Sequence, residues 1–322
     1  MTRPVPIDLS ELGLPATPRE AAAGDPPAVH VRARLDQQLR ALLEHEAVAR
    51  QGIDPEGVHQ MRVAVRRMRA ALKASGEPEF AAAQAELGWL GGILGRIRDL
   101  DVLLAHLRAQ AADLPADERA AAERLLHGLV EERRRARRRM LDTLRGARYA
   151  TLLTTLAALV TAEVDGEPVR ERVAQQALLD VVTKPHRKLA KAARALDDDP
   201  SDEDLHALRI RGKRLRYAAE LAEPAGGKPV RRLIKATKEF QDVLGEHQDT
   251  VVAEAEVRRL LAEQTDADAD GGVDADVVFV AGRLVERERT RRAACRARWR
   301  DTLDEVDRLA ADLVPGRRPS GH

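Results

Sequence analysis

Residues 58–72 read VHQMRVAVRRMRAAL, and residues 205–221 read LHALRIRGKRLRYAAEL. At 3.6 residues per turn, His59, Arg62, Arg66, Arg69 and Lys73 share one narrow wedge of a helix. Met61, Val65, Met68 and Leu72 form a separate apolar stripe that suits a bundle core. The second stretch has the same layout, with His206, Arg209, Lys213 and Arg216 on one line and Leu208, Leu215 and Ala219 on another. Asp54-Pro55 and Ser201-Asp202 signal the two helix starts. Like charges three and four residues apart cost a few tenths of a kcal/mol per pair, so such a row needs carboxylates or a bound anion. The first row extends about 20 Å at 1.5 Å per residue, a length that suits a linear polyanion better than a single phosphate.

The two stretches belong to a longer internal repeat. LGRIRD at 94–99 aligns with LGEHQD at 244–249, and Leu129-Val130-Glu131 aligns with Leu284-Val285-Glu286, each of the latter followed by an arginine run. The offsets of 147, 150 and 155 rise steadily, as small insertions after a duplication would make them. An arginine-rich face on one helix is ordinarily just solvated surface. A solvated face has no reason to keep His, then Arg at +3, a cation at +7 and Arg at +10 in two copies. The repeat therefore assigns the rows to binding.

The rest of the chain agrees with a helical reading. Its 322 residues are 44% hydrophobic, 33% charged and 2% aromatic, and Ala, Leu, Arg and Glu dominate. That composition excludes a β-sandwich, a barrel, or a nucleic-acid module built on stacked aromatics. Breaks near Gly52–Pro55, Gly76–Pro78, Pro115, Asp165–Pro168, Asp197–Ser201, Pro224–Pro229 and Asp266–Gly272 leave about eight long helices and a shorter one near Tyr149 to Glu163. The expected organisation is a mobile arm over 1–27, one all-α domain over 28–314, and a frayed tail over 315–322. The domain comprises two four-helix units, 28–163 and 164–314, with long helices and short loops.

Asp8 and Glu11 stand where a signal peptide needs its apolar run, and Tyr149–Ala162 is too short and Thr-rich to span a bilayer. A cytoplasmic protein with no membrane partner is expected. The net charge of +1 conceals segregated blocks, basic at Arg62–Lys73, Arg133–Arg148 and Arg287–Arg300, acidic at Asp197–Asp204 and Glu263–Asp276.

The paired motifs, each followed by an LG-x-x-x-D element, resemble the CHAD family, the conserved histidine α-helical domain. The resemblance covers roughly residues 28 to 314. It implies two four-helix units related by a pseudo-twofold axis and the binding of inorganic polyphosphate in a basic groove or cavity, with polyphosphate granules as a further partner and phosphate metabolism as the setting. Carried over by position, His59, Arg62, Arg66 and Arg69, with His206, Arg209, Lys213 and Arg216, become the leading ligands, and Lys73 extends the first row. Arg67 and Arg214 lie in the same motifs but off the row. Arg133, Arg137, Lys235, Lys238, Arg289 and Arg292 form a secondary set on neighbouring stretches.

Other signals are thin. Asp99 and Asp101 read as carboxylates that orient arginines rather than as metal ligands, because no histidine with ligand spacing stands nearby. Asp266 to Gly271 resembles half of an EF-hand loop, but Val277 occupies the position of the bidentate Glu. Cys295 lies in an arginine-rich stretch that would lower its pKa, yet it has no evident base. No catalytic residue, metal or cofactor is assigned. The readings are then non-enzymatic polyphosphate binding, nucleic-acid binding by the same cations, or metal-dependent phosphohydrolysis through the aspartates. The histidines should add a pH term, with binding strengthening as they protonate below about 6.5.

Overall fold

The computed structural model describes residues 9–22, 25–162, 171–267 and 274–313. Among them the chain is all-helical: α1 (Pro27–Gln51), α2 (Glu56–Ser75), α3 (Ala81–Ala111), α4 (Ala116–Arg145), α5 (Ala147–Thr161), α6 (Glu171–Arg194), α7 (Asp202–Ala267) and α8 (Ala275–Ala311). No strand occurs among the described residues.

The expected punctuation sets the helix ends. α1 starts with a proline in its first turn and stops at Gly52, whose φ of 69° lets its N–H reach back to the Val48 carbonyl. The Asp54 carboxylate accepts from the Glu56 N–H at 2.8 Å just ahead of α2. At the start of α7, Ser201 and Asp204 cap each other reciprocally: the Asp204 N–H donates to Ser201 Oγ at 3.1 Å, and the Ser201 N–H donates to Asp204 Oδ2 at 3.3 Å.

α7 is 66 residues from end to end, and a straight rod of that length would run about 100 Å. It is instead a hairpin. Gly227 adopts φ 56° and ψ −136° between Pro224 and Pro229, and the chain reverses there. His206 meets Gln248, and Gly212 packs so closely against Phe240 that an added Cβ would stand 2.8 Å from the ring. The break expected at Pro224–Pro229 is therefore present, closed by a single glycine. α2 and α3 form the equivalent hairpin around Gly76, with Arg62 against Gly95 and Val65 against Gly91.

Three apolar cores hold these hairpins together. The first gathers Leu35, Leu39, Met61, Met68, Leu87, Leu90, Met140, Tyr149 and Leu156 from α1 to α5. The second gathers Leu189, Leu208, Leu215, Leu233, Phe240 and Trp299 from α6, α7 and α8. The third is shared, because the far halves of α3 and α4 (Leu104, Leu107, Leu125, Leu129) interleave with the ends of α7 and α8 (Val257, Leu260, Val280, Leu284). Helices longer than their own bundle thus build a joint bundle, and this fixes how the two basic rows meet.

Part of the stretch expected to be a mobile arm is packed. Leu14 is buried in the first core with Leu9 and Leu12 against it, and the Arg19 N–H donates to Asp36 at 2.6 Å. A Leu-rich turn has apolar surface to bury, and the α1 groove accepts it. The expected break at Asp165–Pro168, the half EF-hand from Asp268 onward and the tail from 315 lie outside the described residues. Among the described residues no helix is long and apolar enough to cross a membrane.

Candidate functional site

The apolar stripes decide where the cations point. Met61, Val65, Met68 and Leu72 are fully buried in the first core, and Leu208, Leu215 and Ala219 in the second. The rows beside them are left on the facing sides of α2 and the first arm of α7, and they meet across the hairpins. Tyr217 marks the junction: the Arg66 guanidinium donates to its hydroxyl, and Arg66 and Arg216 each lie 5.4 Å from its ring centroid.

Five of the nine leading residues converge here. Lys213 is half-buried, and its pKa is lowered to about 7 by that burial and then by Arg209, Arg66, Arg62 and Arg216, two from each row. Arg66 is likewise lowered to about 10 by burial and by Arg62, Arg216, Arg209 and Arg67. Arg209 is pushed down by burial and by Arg62, with Asp249 and Asp99 pulling the other way. The Nε of Arg209 is buried without a hydrogen-bond partner among the described residues, while that of Arg216 stands 3.4 Å from Glu220 Oε1.

The LG-x-x-x-D elements supply the opposite wall. Arg62 donates to the Gly95 carbonyl at 2.9 Å and to Asp99 at 2.6 Å, while Arg209 lies against Gly245 one turn before Asp249. The same arginine, glycine and aspartate thus recur together in both hairpins. Carboxylates neutralise only part of the charge. Arg62, Arg66, Arg67, Arg98, Arg209, Lys213 and Arg216 stand against Asp99, Asp249, Glu220, Asp242 and Glu56. Asp249 itself is crowded by protein, which raises its pKa, and yet its surface is open to water.

The histidines flank this cluster. His59 is pushed below its ordinary pKa by burial and then by Arg98, Arg66 and Arg62, against the pull of Glu56. His206 Nδ1 pairs with Gln248 at 2.6 Å. Arg69 and Lys73 continue the α2 row past the junction, both exposed, with Arg69 over Gly88.

The secondary set is mostly engaged inside the protein. Arg137 donates to the carbonyls of Arg50 and Gln51, both at 2.9 Å, and so closes the end of α1. Arg133 pairs with Asp101, Arg289 with Glu254, and Arg292 with Asp202 and Glu254. Lys235 and Lys238 are exposed, Lys235 at 3.9 Å from Glu239. Arg214 is exposed, and Arg67 binds Glu220 through Nε at 3.0 Å. Cys295 runs opposite to its sequence expectation: burial and the neighbouring Glu246 raise its pKa to about 11, outweighing the arginines. Asp99 and Asp101 hold arginines as expected. No group of three or more potential metal ligands occurs among the described residues.

Sequence reasoning missed Arg98, Tyr217 and Glu220. Arg98 had a signal, since it aligns with Gln248 and both stand beside the motif histidine. Glu220 is the last acid of the second motif, and only the packing of α2 against α7 brings Arg67 and Arg216 to it. A cavity of about 580 Å³ lies elsewhere, between α4 and the end of α7, walled by Leu125, Gly128 and Leu260 together with Glu123, Arg124 and Glu263. It contains none of the row residues.

Comparison with known proteins agrees with this architecture. A family model described as the CHAD domain matches residues 33–258. The crystal structure of the CHAD domain from the plant Ricinus communis superposes with a TM-score of 0.70 at 31% identity, covering 90% of this chain and 95% of that one. PptA from Streptomyces chartreusis shares the fold, with a TM-score of 0.65 at 19% identity over 87% of this chain and 100% of that one. Two curated sequences from Mycobacterium tuberculosis strains CDC 1551 and H37Rv, each called an uncharacterized protein, are 32% identical over 295 residues. That match takes in 88% of this chain and 54% of theirs, so the chain spans about half the length of the curated relatives it matches.

Proposed function

Since this chain belongs to the CHAD domain family, we propose that it binds inorganic polyphosphate, without chemistry, along the basic rows that meet between α2 and the first arm of α7. The observation that carries this reading is the meeting of the two rows at Tyr217, where Arg66 of α2 and Arg216 of α7 each lie 5.4 Å from its ring centroid, beside Arg62, Arg209 and Lys213. Arg62, Arg66, Arg209, Lys213 and Arg216 form the floor of the site, with His59, Arg98 and His206 at its margins. Arg69 and Lys73 extend it along α2.

Guanidinium groups hold phosphoryl oxygens through charge-assisted, often bidentate hydrogen bonds. A flexible polymer with one charge per unit suits a row better than one compact phosphate does, because each added contact releases another condensed counterion. Duplex nucleic acid is rigid and offers its charge on a broad helical surface, and the row lacks the aromatic platforms that single strands stack on. Tyr217, the aromatic at the junction of the rows, is already occupied by Arg66 and Arg216.

Titration of the protein with long-chain polyphosphate at several salt concentrations tests the reading. Five engaged cations give a slope of log affinity against log salt of roughly −3 to −4, taking about 0.7 per contact for a single-stranded polyanion. R66Q/R209Q should lower affinity at least about tenfold and flatten that slope by one to two. Equal displacement by duplex DNA, or an unaltered slope in the double variant, would refute it. Release of phosphate on incubation with magnesium or manganese would show that the site also hydrolyses its ligand.

A further inference from the structure

The two basic rows differ at their last place. The offset of 147 that pairs His59 with His206, Arg62 with Arg209, Arg66 with Lys213 and Arg69 with Arg216 also pairs Lys73 with Glu220. The second row thus ends in an acid where the first ends in a cation. Glu220 is buried, at 8% exposed. Arg67 of α2 donates to both of its carboxylate oxygens, Nε to Oε2 at 3.0 Å and Nη2 to Oε1 at 3.4 Å, and Arg216 Nε stands 3.4 Å from Oε1. Arg34 of α1 donates to the Glu220 carbonyl oxygen. The space left between Arg34, Arg67, Ala71, Tyr217, Glu220 and Leu221 is about 10 Å³, room for about one water.

A guanidinium donating to two oxygens of one anion is also the contact that a phosphoryl group makes. The carboxylate occupies the place that the next phosphate of a chain running along α7 would take. The aligned residues of the opposite branch are in a different state. Arg69, Lys73 and Arg214, which pair in sequence with Arg216, Glu220 and Arg67, are all exposed, and among the described residues they make no hydrogen bond or ion pair.

We propose that Glu220 is an internal stand-in for a phosphate, a positioning residue that closes the α7 branch of the rows and sends a bound polyanion out over Arg69 and Lys73 of α2. The proposal rests on the anion-binding reading above but not on polyphosphate as the anion. A duplicated site offers a flexible polymer two ways past Tyr217. Along α7 a phosphate has to displace a carboxylate already held by two guanidinium groups, and if it does not, the like charge repels it. Along α2 it meets uncommitted cations, and each contact releases condensed counterions. One acid therefore breaks the duplication and leaves the polymer a single path.

The experiment measures affinity against salt for the intact protein, E220Q, R69Q/K73Q and the combined triple variant, with long-chain polyphosphate and in parallel with heparin, a linear polyanion of different chemistry. In the native background R69Q/K73Q should lower affinity at least about fivefold and flatten the slope of log affinity against log salt by about 1.4, two contacts at about 0.7 each. With E220Q present the polymer can leave over α7 instead, so the same pair should cost less than about twofold and flatten the slope by less than about 0.7. A carboxylate that only braced the arginines would leave the effect of R69Q/K73Q equal in both backgrounds, and that result overturns the proposal, as does R69Q/K73Q having no effect on the native protein. Amine labelling of the unmutated protein gives a second reading. Bound polyanion should protect Lys73 and leave Lys228, exposed just past the turn that ends the first arm of α7, as reactive as in the free protein. Equal protection of the two overturns the single path. If heparin shows the dependence on Glu220 and polyphosphate does not bind, the polyphosphate reading falls and the positioning role survives. If polyphosphate binds and the two backgrounds respond alike, the positioning role alone falls.

Discussion

Raising the pH through neutrality should weaken polyanion binding, and Lys213 rather than the histidines should set the main slope. In the free protein its pKa is lowered to about 7 by burial and four arginines. A polyphosphate chain laid across Arg62, Arg66, Arg209 and Arg216 cancels their repulsion and returns the amine towards the ordinary lysine value. Binding then takes up a proton wherever the free amine is neutral and the bound one charged, so affinity falls as pH rises above about 7. With the bound pKa near 10, the loss from about pH 6.5 to about pH 8.5 is about twenty-fivefold. His59 contributes in the same sense but lower on the scale, because burial and Arg98 hold its free pKa below 6.5. The His59 part of the term expected from the sequence thus shifts towards acid, below the lysine window. The assay is isothermal titration with long-chain polyphosphate at constant ionic strength across this range, in two buffers of different ionisation enthalpy so that proton uptake is read directly. K213R keeps the charge and should abolish the slope between about pH 7 and about pH 8.5. A flat wild-type profile, or a slope that survives in K213R, refutes the argument.

Other perturbations test the packing beneath the site. E220Q removes the carboxylate that Arg67 and Arg216 share, and should cost about 1 to 2 kcal/mol in chemical denaturation while tightening polyanion binding; weaker binding would place those two arginines outside the site. G212V puts a branched side chain where a Cβ already lies 2.8 Å from Phe240, and should destabilise by about 1 to 3 kcal/mol with a lowered melting temperature. R98Q takes away the cation that, after burial, most depresses the His59 pKa, so the imidazole should titrate at higher pH by NMR, and an unchanged titration would remove Arg98 from its neighbourhood. K213M relieves the like-charge crowding, and should raise the thermal midpoint of the free protein while weakening polyphosphate binding.

The helical fold was legible because its signals are local. The three-and-four spacing of Met61, Val65, Met68 and Leu72 fixes which face is buried whatever lies opposite. Gly52, Gly76 and the Pro224–Pro229 break mark reversals that any packing must respect. The basic rows followed from the same periodicity, since a charge adjacent to the apolar stripe is carried to the rim of the core. What periodicity leaves open is whether two rows on separate helices face each other or face away. Arg137 shows the same gap, because an arginine run gives no hint that one member closes the end of α1 by binding its last carbonyls.

By itself the sequence determined the helices, their buried faces, the duplicated row and the glycine-aspartate elements opposite it, all of them matters of spacing along one chain. Only the tertiary structure decided that the rows meet at Tyr217, that Asp99, Asp249 and Glu220 offset just part of their charge, and that Lys213 becomes the crowded amine among arginines. The reason is that burial and Coulomb interaction depend on distances between helices remote in sequence. Those distances were fixed by the long helices interleaving in a shared third core.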